Sequence, residues 1–293
     1  MLTNRDFIID KSFNQDQAAN LSLFAVVGEA CFDYCVMSPH NSMLLLKSYA
    51  LPHTAGNSTY NTLYDIMEQA VKADSLLKYT YQKVHICVQS PKFTLVPQLL
   101  YNSDNRATYL NHLTQIDHQY AIFADAVPQH ECQNIYATDI GLLDAQNVFF
   151  PNSKIYHHIT VLLAANTLLE TADSEKVIIN VRGQTQQLFA YRQGQLLFCN
   201  HFAFFSTNDF IYNVLLLFDR FNFNTEKTPI YITGQLHTQT DIFKLLSYYI
   251  VHVHTLNRNF VHPLANANFL QKFSVEYYYD LLNIHQCVSS EEH

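Results

Sequence analysis

Apolar and polar residues along this chain fall into short blocks whose period changes at recognisable places. Residues 176–205 read KVIINVRGQTQQLFAYRQGQLLFCNHFAFF, apolar runs of strand length cut by turn residues at Gly183 and Gly194. Apolar runs bounded by glycine-containing turns predict a three-stranded meander. An apolar helix is expected next, over residues 210–221. IYITG then predicts a strand ending on Gly234, with another helix after it.

A weaker version of the same order occupies residues 21–89. LSLFAVVG, ACFDYCVM and SMLLLKSYAL predict three strands, turned at Gly28-Glu29 and at Ser38-Pro39-His40-Asn41. Leu63, Ile66, Met67, Ala70 and Val71 form an apolar stripe at helical spacing, which predicts a helix over 59–77. VHICVQ is the next strand. Further on come an extended piece at 93–97 and a helix over 104–118 capped by Asp104. Strands YAIFADAV and NIYATDI are joined through Pro128. A short helix GLLDAQNVFF, a strand KIYHHIT and a helix ending near Thr171 complete this half. The polar link ADSEK then places a domain junction near residue 172, giving domains 1–171 and 172–293. A strand YIVHVHTL and a helix over 274–285 close the chain, and the tail VSSEEH is expected to fray.

Three strands, helix, strand, helix resembles the half-unit of the actin-like ATPases, the group of actin, sugar kinases and heat-shock chaperone ATPases. The style over 176–260 is that of the cytoplasmic actin-like protein of type IV pilus assembly. The whole chain is similar to the bacterial family called domain of unknown function 3822. The resemblance implies an α/β fold of two actin-like ATPase (ribonuclease H-like) domains, with mixed sheets and flanking helices. In active members two hairpins carry an acidic residue and glycines that grip phosphate and magnesium. Here the second hairpin reads Asn180-Val181-Arg182-Gly183 and the first Val26-Val27-Gly28-Glu29, with no Asp-x-Gly in either. The adenosine turn reads Thr233-Gly234-Gln235 and keeps one glycine of two. The resemblance thus makes Asn180, Gly183 and Gly234 the nucleotide-facing positions. The missing carboxylate implies a degenerate protein without ATPase activity, acting as a cytoplasmic scaffold or adaptor. The alternative is a nucleotide-binding member with a relaxed phosphate site, in which ATP and magnesium would be the cofactors. Gly183 and Gly234 also have a purely structural reading, as turns that must lack a Cβ.

Composition narrows the rest. The chain has 293 residues, 48% of them hydrophobic, enough for packed cores. It has six glycines, none spaced for a GxGxxG or GxxxxGK loop. A net charge of −8 with scattered basic residues argues against nucleic acid and anionic membrane as partners. No apolar run approaches the ~20 residues of a membrane helix, and the start lacks a secretory pattern. The six cysteines lie mostly in apolar segments and read as thiols of a reducing compartment. His252/His254 and His157-His158 lack the further ligands a zinc site needs. Asp33, Asp125 and Asp139 receive no role. Tyr277, Tyr278 and Tyr279 are consecutive on the last helix, span roughly 200° of it, and are expected to leave at least one ring exposed for an unknown protein partner or a homodimer.

Overall fold

The computed structural model describes residues 3–28, 31–51, 53–54, 57–58, 62–169, 174–236, 238–256 and 272–289. The turn expected at Gly28-Glu29, the first residues of the helix expected from 59, the end of the helix expected near 171, the junction at 172 and the end of the tail lie outside them. The chain divides into two compact units. One comprises residues 1–165, 263–273 and 280–293, the other residues 166–262 and 274–279.

The first unit is built on a six-stranded mixed sheet. Strands β1 (Thr3–Ile9), β2 (Ser22–Gly28), β3 (Cys31–Met37) and β4 (Met43–Ala50) are followed by a two-stranded pair, β5 (His53–Thr54) and β6 (Asn57–Ser58). Helix α1 (Leu63–Ala73) begins at a capping box, Thr62 with Asp65, and leads to β7 (Lys83–Val88). The helix starts at the first residue of its stripe, later than the 59 expected, and hands over to a single turn at Ser75–Lys78. A separate three-stranded sheet contains β8 (Phe93–Pro97), β9 (Tyr120–Val127) and β10 (Cys132–Asp139). The helix expected over 104–118 is only α2 (Arg106–Asn111), and the cap before it belongs to Asn102, whose side chain accepts from the Asp104 N–H. Helix α3 (Gly141–Phe149) precedes β11 (Lys154–His157), and α4 (His158–Thr167) begins where the sequence suggested more strand. The large sheet runs β1-β4-β3-β2-β7-β11, antiparallel up to β2 and parallel from there.

The second unit holds β12 (Glu175–Arg182), β13 (Thr185–Arg192), β14 (Gln195–Ala203), α5 (Thr207–Phe221), β15 (Ile230–Gly234), α6 (Asp241–Tyr249) and β16 (Val253–Thr255). Its sheet runs β14-β13-β12-β15-β16. This is the order β4-β3-β2-β7-β11 of the first unit, with the same antiparallel meander and the same two parallel additions. Ser206 and Asp209 form the capping box of α5. Phe210, Ile211, Val214, Leu217 and Phe218 recur at intervals of one, three, three and one residues, so one face of α5 packs on the sheet residues Val177, Ile179, Leu188 and Ile232. The last helix, α7, covers Tyr279–Ser289 and follows a single turn at Glu276–Tyr278.

Candidate functional site

The second hairpin is built around two glycines with different jobs. Gly183 opens the two-residue turn between β12 and β13, with φ at +56°, the place where a II′ turn takes glycine. No atom approaches the position its Cβ would take. Gly234 ends β15 with φ at +84°, and there a Cβ would run into the backbone of Val181. The parallel register sets Asn180 level with Thr233 and Val181 level with Gly234. Asn180 is buried and donates from Nδ2 to Thr233 Oγ1 at 2.8 Å. Asn180, Gly183 and Gly234 are thus gathered at one end of one sheet.

The group that dominates this end is Gln235. Its backbone N–H donates to Val181 O at 2.7 Å, which turns its side chain over the hairpin. Its Oε1 accepts from Gly183 N–H at 2.8 Å, and its Nε2 donates to Tyr277 Oη at 2.7 Å. The Arg182 guanidinium lies 5.1 Å from the centre of the Tyr277 ring. The Gly183 N–H, which the resemblance implies would face a phosphate, is thus engaged by an amide oxygen. The strand supplies an amide, Asn180, where magnesium chemistry favours a carboxylate.

The first unit also places a glutamine directly after the matching strand, with different side-chain partners. Gln89 follows β7 as Gln235 follows β15, and its N–H donates to Val27 O at 2.9 Å. Its side chain packs over Gly28, so that a Cβ there would strike the Gln89 amide. Its Nε2 donates to Asp280 Oδ2 at 3.4 Å. Neither glutamine was singled out by sequence; each directly follows a strand, but its side-chain direction is fixed only by the parallel pairing.

Tyr277, Tyr278 and Tyr279 overturn their expectation. Their exposures are 9%, 1% and 1%, so none stands on an open patch. Nearly every described residue from Val275 to Cys287 is buried, and a helix packed all round hides every direction of its wheel. Tyr277 is held by Gln235 and Arg182, and its ring stacks edge-on against Tyr278 at 4.7 Å.

A second constellation, unread from sequence, lies in the first unit. Asp125 on β9 stands opposite Asn134 on β10. Asp125 Oδ2 accepts from the His157 N–H at 2.7 Å and from Thr160 Oγ1 at 2.8 Å, and Oδ1 accepts from Tyr136 Oη at 3.2 Å. Asn134 Nδ2 donates to Thr160 Oγ1 and to His157 Nδ1, both at 2.9 Å. His157 Nε2 is 2.9 Å from Ser90 O, which assigns the ring proton to Nε2. Burial first, then the neighbouring Asp125 charge, push the Tyr136 phenol well up, so it stays a donor. Beside this network is a cavity of about 330 Å³, bordered by Phe123 to Gln129 on one side and by β11, Thr160, Ala164 and Cys287 on the other.

The remaining candidates have ordinary surroundings. Asp33 accepts from the Ser48 hydroxyl, and Asp139 accepts from the Gly141 N–H at 2.8 Å. The rings of His252 and His254 stack at 6.4 Å. Among the described residues no three His, Cys, Asp or Glu side chains cluster as a metal site, and no helix is long and apolar enough to cross a membrane.

Solved structures of similar shape identify the fold. A Bacteroides thetaiotaomicron protein of actin-like ATPase fold and unknown function aligns at 21% identity, with 89% of this chain and 97% of that one covered and a TM-score of 0.72. The PilM–PilN type IV pilus biogenesis complex aligns at 14% identity over 91% and 98%, with a TM-score of 0.61. No curated protein matches the sequence. The fold is that of the actin-like ATPases, as the order of elements implied. Residues 10–253 match the family described as Protein of unknown function (DUF3822), and the chain belongs to that family.

Proposed function

We propose that this chain is a non-hydrolysing actin-fold protein that acts in the cytoplasm as a scaffold or adaptor for another protein. The observation that carries the reading is Gln235, whose amide closes the hairpin N–H at Gly183. Asn180 in place of a carboxylate and Gln89 over Gly28 support it. The PilM structure of similar fold is a complex with a protein partner, which fits this class of role. Six unbridged cysteines, five of them buried, fit a reducing compartment.

A second reading has one observation in its favour. Among the described residues the buried Asn180 Oδ1 accepts no hydrogen bond, so a ligand donor or a hydrated ion would find an acceptor there. Thermal unfolding separates the two. Mg-ATP at about 1 mM is expected to leave the melting temperature unchanged, whereas a nucleotide at 100 times its Kd would add ~2.7 kcal/mol. A rise that requires magnesium and disappears in Asn180→Ala would overturn the reading in favour of a relaxed nucleotide site.

A further inference from the structure

We propose that the cavity beside β9 receives an extended segment of a partner protein, added as a strand to the open edge of that sheet. The inference rests on the reading of the chain as a protein-binding one and names where and how it binds. The three-stranded sheet runs β8-β10-β9, so among the described residues β9 is an edge. The Ile140 N–H bonds to Gln119 O, and the register continues from there through Asp139 opposite Tyr120 to Cys132 opposite Val127. Antiparallel ladders alternate, so Ala121, Phe123, Asp125 and Val127 turn their backbone groups to β10. Ile122, Ala124 and Ala126 turn theirs outward, and among the described residues these N–H and C=O groups have no partner in the chain.

Edges of this kind are usually blunted by charge, proline or a bulge. β9 has an unbroken register and no proline, and Ala124 and Ala126 add only methyl groups beside the edge. Its one charged residue, Asp125, is turned into the network with His157, Thr160 and Tyr136 and does not guard the edge.

The occupant follows from what faces that edge. Across the cavity stand Ile155 and Tyr156 of β11, the outermost strand of the other sheet, with Ala164 and Cys287 beside them. The edge is therefore recessed. A second copy cannot reach it with its own β9, because that strand is recessed behind the same wall. A single extended chain can enter. Its backbone would satisfy the outward groups of Ile122, Ala124 and Ala126, and alternate side chains would face a mixed lining, apolar at Ile155 and Ala164 and polar at Lys154 and Thr160. Strand addition takes affinity from main-chain bonds and selectivity from pockets for alternate residues.

The experiment is selection of random peptides of roughly ten residues, the length of a strand, on the full chain, followed by binding of the best synthetic peptide. Ala124→Pro deletes an outward N–H without touching the ladder to β10, and is expected to weaken that peptide by about tenfold or more. Ala124→Val keeps the N–H and is expected to bind within about threefold of wild type. Hydrogen exchange on the wild-type complex, which needs no variant, should slow the amides of Ile122, Ala124 and Ala126. Recovery of no peptide, unchanged binding by a folded Ala124→Pro, or unprotected β9 amides would each overturn the inference. None of these results touches the nucleotide experiment, so the adaptor reading stands or falls separately.

Discussion

Gly234→Val is expected to be among the most damaging single substitutions in the second unit, lowering stability by about 3–5 kcal/mol. Two costs add. A β-branched residue at φ +84° costs roughly 1–3 kcal/mol of backbone strain. The new Cβ would also meet the Val181 main chain, which cannot move aside without breaking its pairing with β15; overpacking of this sort costs a further ~1–3 kcal/mol. Gly183→Ala is the internal control. It shares the positive φ but meets no neighbour, so about 1 kcal/mol is expected. Urea unfolding followed by far-UV circular dichroism reads both, since the chain has no tryptophan to report on the transition. Equal losses for the two substitutions would show that close packing at Gly234 contributes nothing.

Asp74→Ala is expected to cost the first unit about as much, roughly 3–5 kcal/mol, because it strands two buried tyrosine hydroxyls and the partly buried Lys47 cation. Asp74 is buried and accepts from Tyr34 Oη at 2.6 Å, Tyr49 Oη at 2.8 Å, Lys47 Nζ at 2.8 Å and the Leu76 N–H at 3.0 Å. Burial pushes its carboxyl up, but the bonds from Lys47, Tyr34 and Tyr49 outweigh it and hold the group below the ordinary value. A depressed folded value means the stabilisation is present above the unfolded value and is lost as pH falls through the folded one. The advantage of wild type over Asp74→Asn should therefore be full at neutral pH and shrink once the medium falls below about pH 4. An advantage that stays constant down to the acid transition would show that the carboxylate charge is not what stabilises the site.

Much of the frame was legible because it rests on local signals. The Gln193-Gly194 turn has both residues at positive φ, and the meander follows from it. The helix α5 and the strand IYITG likewise declare themselves by apolar spacing and by glycine. Strand β1 went unread because only Ile8 of TNRDFII is buried, so no alternation marks it, and its pairing with β4 makes it a strand. The helix expected over 104–118 shrank to one short piece: Leu110 is buried near its end, but Leu113, the next position of the stripe, stands exposed, so a longer helix would gain little burial. At the candidate site the glycines could be found from sequence, but their covers could not. Gln89 and Gln235 act through side chains aimed by long-range parallel pairing, and Asp125, Asn134, His157 and Thr160 meet only when β9, β10 and β11 are in place. The three tyrosines misled for a related reason: counting directions around a helix assumes a single packed face.

The Gln235 cover also bears on how steady the protein's behaviour would be in a living cell. A hairpin closed by a carboxylate and a bound ion changes state with acidity, ionic supply and energy charge. An amide is neutral, does not titrate, and holds its bond without any metal. On the proposed reading, the grip on a partner would be constitutive: set by how much partner is made, and indifferent to whether the cell is fed or starved.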